Sequence, residues 1–189
     1  MEMDPDDDYF LELGKFIQDF AETEWWMHQF LCSITGLQHR SGRAVFSGLK
    51  VDGLTQAIRR FYEANEFPIT PEIAEALHQL SEISSIRNDI VHFGTYVEDG
   101  DNQPSVSNKR AVHTLSRVRS RRIDDKTLVL MRADLAVVRH RLAFVAQRDL
   151  PPEKRPELKN DPDKWRLNSW SYKPVPPTQT LKGKPPDGR

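Results

Sequence analysis

Apolar residues recur at steps of three and four along four stretches of this chain, and that spacing suits helices with one buried face. The first stretch runs from about Asp8 to Leu37, with Leu13, Phe16, Ile17, Phe20, Met27, Leu31 and Ile34 on the repeat. Gly36 suits a C-terminal cap. A basic loop, His39-Arg40-Ser41-Gly42-Arg43, is expected next. The second stretch spans roughly Ala44 to Asn65 on Phe46, Leu49, Leu54, Ile58, Phe61 and Tyr62. Gly48 and Gly53 weaken it, so a break near its start is expected. The third opens with Thr70 as N-cap, Pro71 at the first helical position and Glu72 complementing the helix dipole. It reaches His92 or Phe93, where Gly94 can end it. The fourth starts at Asp124 or Asp125 and carries Leu128, Met131, Leu135, Val138, Leu142 and Val145. The expected fold is an all-α bundle of four main helices.

Between the third and fourth helices the pattern changes. Val97 to Gln103 is acidic and turn-rich, a surface loop. Residues 109–122 hold six cations, Lys109, Arg110, Arg117, Arg119, Arg121 and Arg122, and no carboxylate. Val112, Thr114 and Val118 alternate among them, which predicts a short strand or hairpin. The cations are candidates for contacting nucleic-acid phosphates, each neutralised phosphate making binding more salt-sensitive. The stretch lacks the aromatics on which bases stack, and a solvated surface facing the acidic loop is the competing reading.

The chain divides into a bundle over 1–149 and a tail over 150–189. Nine of the 13 prolines lie in that tail and apolar residues are sparse there, so it cannot bury enough surface to fold alone. Trp165, Trp170 and Tyr172 are the exceptions, able to pin the tail to the bundle or to another chain.

Composition excludes several classes. The net charge of −1 supplies no global attraction for nucleic acid or membrane. No apolar run approaches the roughly 20 residues of a membrane span, and the acidic start is no export signal. The single cysteine, Cys32, builds no disulfide and reads as a small buried hydrophobe. A cytoplasmic protein is expected. The six histidines are scattered, and only Asp89 with His92 has helical ligand spacing, so no metal site is expected. There is no glycine-rich phosphate loop, nucleophile elbow or CxxC pair, and no cofactor is expected. Trp25 and Trp26 point about 100° apart. Trp25 is assigned to the core, and Trp26 equally to an interface.

The third helix holds the most informative run, Arg87-Asn88-Asp89-Ile90-Val91-His92. On a helical wheel Ile73, Leu80 and Val91 fall within about 40° of Arg87, which puts Arg87 in the buried stripe. A guanidinium cannot shed its charge, so burial demands an acceptor. Glu24 sits where the first helix expects an apolar residue, between Phe20 and Met27, and a buried Glu24–Arg87 pair is the expectation. His92 lies about 140° from Arg87 on the flank, sharing a face with Asn88.

This run, with Phe93 and Gly94 following, resembles the signature of the HEPN superfamily. Those are small helical-bundle domains that carry Arg, a polar residue and then His on the third long helix. The likeness covers the signature and the helix order over about 8–148. It implies metal-independent RNA cleavage at a homodimer interface, in a toxin, defence or RNA-processing setting. His92 would be the general acid or base, Arg87 would stabilise charge on the phosphate, and Asn88 would orient His92 or the phosphate. The alternative it also implies is a non-catalytic dimeric interaction module. There the Glu24–Arg87 pair is structural and the tail or dimer face recruits a protein partner, such as an antitoxin.

Overall fold

The computed structural model describes residues 5–97, 104–108, 119–147, 170–175 and 178–179. Lys109, Arg110, Arg117, Val112, Thr114, Val118 and Trp165 lie outside these residues. Five helices form, α1 (Pro5–Thr35), α2 (His39–Phe46), α3 (Val51–Ala64), α4 (Pro71–Phe93) and α5 (Asp125–Gln147). Four short strands accompany them, β1 (Tyr96–Val97), β2 (Pro104–Ser107), β3 (Arg119–Arg122) and β4 (Thr178–Gln179).

Helices α1, α3, α4 and α5 share one core. Phe16, Phe20, Met27 and Leu31 of α1 meet Leu54 and Ile58 of α3, Leu77, Leu80 and Ile83 of α4, and Leu128, Met131 and Leu135 of α5, all essentially without solvent contact. Helices α1 and α5 run in the same direction, because Arg132 bonds Glu12 and Asp19 while Ser33 reaches Ala146 O. Helix α4 runs against α5, as the Gln79–Asp134 and Glu75–Arg141 contacts require. Among the described residues no helix is long and apolar enough to cross a membrane.

The expected basic loop after α1 is instead a helix. Residues 39–43 form most of α2, and the expected second helix is split at Ser47-Gly48, leaving α3 to begin at Val51. Polarity hid α2, since its exposed face is basic. Gly42 is its buried residue, and a Cβ there would collide with the Cys32 thiol of α1. The glycine read as a loop marker is a close-approach residue.

The third expected helix is α4, from Pro71 as anticipated. Thr70 takes the N-cap backbone conformation, but its hydroxyl makes no capping bond. Gly94 ends the helix at φ +71, a left-handed value that favours glycine, and its N–H bonds Ile90 O. At α5, Asp124 supplies the cap, accepting from Thr127 N at 2.8 Å.

The small sheet has the order β1-β2-β3-β4, antiparallel throughout, with Val106 facing Arg121 across the β2–β3 pair. An antiparallel pair, β2–β3, does lie between the third and fourth expected helices, but its first strand precedes the basic stretch, and the pattern on Val112, Thr114 and Val118 lies outside the described residues. The tail returns to the body. Tyr172 is buried, its N–H and that of Ser171 both donate to the Asp134 carboxylate at 2.8 Å, and its carbonyl accepts from Gln79 Nε2 at 3.1 Å. The Trp170 ring lies under the Arg141 guanidinium, 4.6 Å from ring centroid to Cζ. Strand β4 then pairs with β3.

Candidate functional site

The signature residues occupy the last two turns of α4. Over these turns the buried edge of the helix shifts to Ile86 and Ile90, while Val91 is 53% exposed. Val91 was expected in the buried stripe and is not, because the stripe drifts as the helix leaves the centre of the bundle. Arg87 is consequently half-buried rather than enclosed.

Arg87 does not pair with Glu24. No ion pair or hydrogen bond joins them. The guanidinium instead stacks over Phe20, 5.2 Å from Cζ to the ring centroid, and its Nη1 donates to Asn88 Oδ1 at 3.1 Å. Its Nε–H is buried without an acceptor. Glu24, one turn further along α1 than Phe20, is only partly buried. A helix stripe specifies a face to within a residue width, and one turn of offset is enough to break a predicted ion pair.

The Arg87–Asn88 bond links two sides of the helix. Arg87 lies toward the core, whereas Asn88 shares its face with His92. His92 is exposed, with its ring tilted against that of Phe93 at 6.3 Å between centroids. Among the signature residues, Arg87 and Asn88 are in direct contact, and His92 follows one turn after Asn88.

Asp89 adds a group that the sequence reading did not assign to the site. It lines a pocket of about 220 Å³ between α4 and the sheet, together with Ser85, Phe93, Asn108, Arg119 and Arg121. Burial raises the Asp89 carboxyl above its ordinary 3.8, and the nearby charges of Arg121, Arg119 and His92 oppose that rise. Arg119 and Arg121 alternate on β3 and so share a face of the strand. Ser85, Asp89 and Phe93 recur every four residues on one face, and that line, with a carboxylate at its centre and read beside the basic strand, was the available signal. Arg122 is exposed on the same strand. Of the six cations singled out in sequence, the structure therefore brings Arg119 and Arg121 to the end of α4.

The remaining aromatic and thiol groups lie elsewhere. Trp25, assigned to the core, is 46% exposed, and it meets Trp26 edge-on with centroids 5.1 Å apart. Cys32 is buried and free, and burial pushes its thiol upward, toward the unreactive protonated form. Among the described residues no group of three or more His, Cys, Asp or Glu side chains is placed to hold a metal ion.

No protein-family model matches this chain, and neither a curated protein nor a solved structure matches it.

Proposed function

We propose that the protein is a HEPN-like endoribonuclease that works without a metal ion and acts as a homodimer. One observation carries the reading: among the described residues Arg87 is a half-buried cation with no carboxylate partner, one buried N–H without an acceptor, and a neutral amide linking it to the face of an exposed histidine. A guanidinium held among neutral groups is under-compensated, and a phosphate diester is the anion whose geometry it matches.

On this reading a ribose 2′-hydroxyl attacks the adjacent phosphorus while His92 takes its proton. The bond from phosphorus to the 5′-oxygen breaks, and that oxygen receives a proton from a second acid. One imidazole per chain supplies one of the two proton transfers, and a second copy of the chain supplies the other. Arg87 stabilises charge developing on the phosphate, Asn88 orients it, and Asp89, three residues before His92, is a positioning carboxylate. The exposed Val91, adjacent to His92, is apolar surface that the second copy would cover.

Purified protein should degrade single-stranded RNA in EDTA and leave 2′,3′-cyclic phosphate ends. His92→Ala should stop this without altering the fold. Wild-type protein that leaves a broad panel of RNAs intact, or that sediments as a monomer while cleaving, would overturn the corresponding part of the proposal.

A second reading is favoured by Asp89. Its carboxylate shares a pocket with Arg119 and Arg121 and already compensates part of their charge. A non-catalytic dimeric module would use that pocket as internal scaffolding and offer Val91 and Val97, both 53% exposed, to a protein partner. Intact RNA combined with a stable dimer would select this reading.

A further inference from the structure

A second basic surface lies on α1 and α2, away from His92. A groove of about 460 Å³ there is lined by Trp25 and Gln29 from α1 and by His39, Arg40 and Arg43 from α2. Its volume falls within the roughly 300–1,000 Å³ of small-molecule sites. The contiguous part beside it adds His28, Cys32 and Ser47, again without a carboxylate. In a chain with 28 acidic residues, a groove with two arginines and two histidines and no acid on its walls is a local concentration of positive potential. Arg40 and Arg43 form no ion pair with a described residue.

The aromatic wall is prepared for stacking. Trp25 stands nearly perpendicular to Trp26, at an interplanar angle of 81°, so an edge contact fixes its ring while leaving much of it open. The cationic wall is fixed by Gly42, whose missing side chain lets α2 settle directly on Cys32. The first turn of α2 carries no acidic residue, and Gln38 makes no side-chain capping bond, so the positive end of the helix adds to the arginines.

We infer that this groove holds a nucleotide unit of single-stranded RNA, with the base stacked on Trp25 and the flanking phosphates held by Arg40 and Arg43. An aromatic face beside unpaired cations is the combination that sequence-tolerant single-strand binding uses. The pocket beside strand β3 also has an aromatic, Phe93, but the Asp89 carboxylate on its wall offsets its cations, whereas the groove has no carboxylate. The groove is also within reach of the same strand as His92. Arg87 stacks on Phe20; Trp25 lies five residues beyond Phe20 on α1, and His92 five residues beyond Arg87 on the antiparallel α4. At 1.5 Å per residue they are separated by about 15 Å along the bundle. The inference takes the identity of its ligand from the ribonuclease reading.

The test is fluorescence anisotropy with a 5′-fluorescein-labelled, mixed-sequence 12-nucleotide RNA, in EDTA. The parent protein carries His92→Ala so that cleavage does not interfere. Trp25→Ala should weaken binding by about tenfold or more. Arg40→Ala with Arg43→Ala should weaken it and reduce the slope of log affinity against log salt by about 1.4, two phosphate contacts at about 0.7 each. Duplex RNA of the same length should not show the Trp25 dependence. Trp25 is exposed, so its variant keeps the parent's unfolding midpoint, and tryptophan quenching by unlabelled RNA that is present in the parent and lost in Trp25→Ala assigns the stacking to Trp25 among the four tryptophans.

Parent protein that fails to bind the RNA, binding indifferent to Trp25→Ala, or an equal Trp25 effect on duplex would overturn the inference. The two proposals fail separately. Cleavage by wild type with Trp25-independent binding removes the groove and keeps the nuclease. Trp25-dependent binding without cleavage removes the nuclease and keeps the groove.

Discussion

The end of α4 and the α1–α2 groove both gather cations, and they do so in opposite company. At the end of α4, Arg119 and Arg121 face the Asp89 carboxylate, and Arg87 lies over Phe20 beside a neutral amide. In the groove, Arg40 and Arg43 have no carboxylate on the walls and an open indole opposite. A carboxylate amid arginines lowers the net attraction for an anion but fixes side chains in place, which suits positioning and proton transfer. Cations beside an aromatic without a carboxylate attract a strand strongly and orient it loosely, which suits holding. The contrast teaches that two surfaces of similar basicity differ in what accompanies their cations, so net basicity is a poor guide to what each can do.

The comparison breaks most sharply at His92. His92→Ala should reduce the single-turnover cleavage rate by 100-fold or more, within the roughly 10²–10⁴ range of general acid–base catalysis, while RNA affinity changes little. A variant that keeps its rate would leave the end of α4 as a scaffold. Arg87→Met is the next largest. It keeps an apolar stem over Phe20 and removes both the charge and the orphaned Nε–H. Cleavage should fall at least tenfold with the thermal midpoint little changed or raised, since Arg87 is half-buried without a carboxylate partner among the described residues and the methionine keeps the apolar contact with Phe20. A structural Arg87 would instead lower the midpoint.

Gly42→Ala probes the groove. Overpacking against Cys32 costs about 1–3 kcal/mol, and the gain in helix propensity returns about 1 kcal/mol, so net destabilisation by chemical denaturation is expected. Adding Cys32→Ala removes the colliding sulfur and should recover much of the loss in a double-mutant cycle. The smallest effect concerns Asp89. Its carboxyl is raised in the folded state, so below about pH 3.8 both states are protonated and Asp89 costs nothing. As the pH rises through that value the unfolded chain releases the proton first, and stability is lost until the folded carboxyl ionises as well. Wild type should therefore lose stability relative to Asp89→Asn on moving from pH 3 to neutrality. A difference of opposite sign would mean that Arg119 and Arg121 dominate over burial.

These effects also mark where sequence was a sufficient guide. The long helices were legible because their apolar residues follow one period over many turns, as Leu128, Met131, Leu135, Val138 and Leu142 do, and all five are fully buried. Helix α2 was not, because eight residues with a basic exposed face and a glycine carry too little period to distinguish helix from loop. The split between Arg87 and the Asn88–His92 face was readable on a wheel. The hydrogen bond that rejoins them was not, since it depends on a rotamer. Glu24 failed for the converse reason: facing residues on two helices need a shared level as well as a shared direction. Trp25 and Asp89 depended on which neighbour lay across a gap, and only assembled helices and strands decide that.

The Asp134 anchor has a consequence for how the molecule is made. A buried carboxylate on α5 and a buried amide on α4 bond each other, and both find further partners at Ser171 and Tyr172, in a segment that composition alone would assign to a tail. Synthesis delivers those partners after every helix of the bundle. Before residue 172 arrives, Asp134 accepts only from Gln79 Nε2, and it lacks the two backbone N–H donors that complete its coordination, a shortfall of the kind that costs about 1–3 kcal/mol when buried. The α4–α5 contact can therefore form without residues 171–172, and those residues then fasten it.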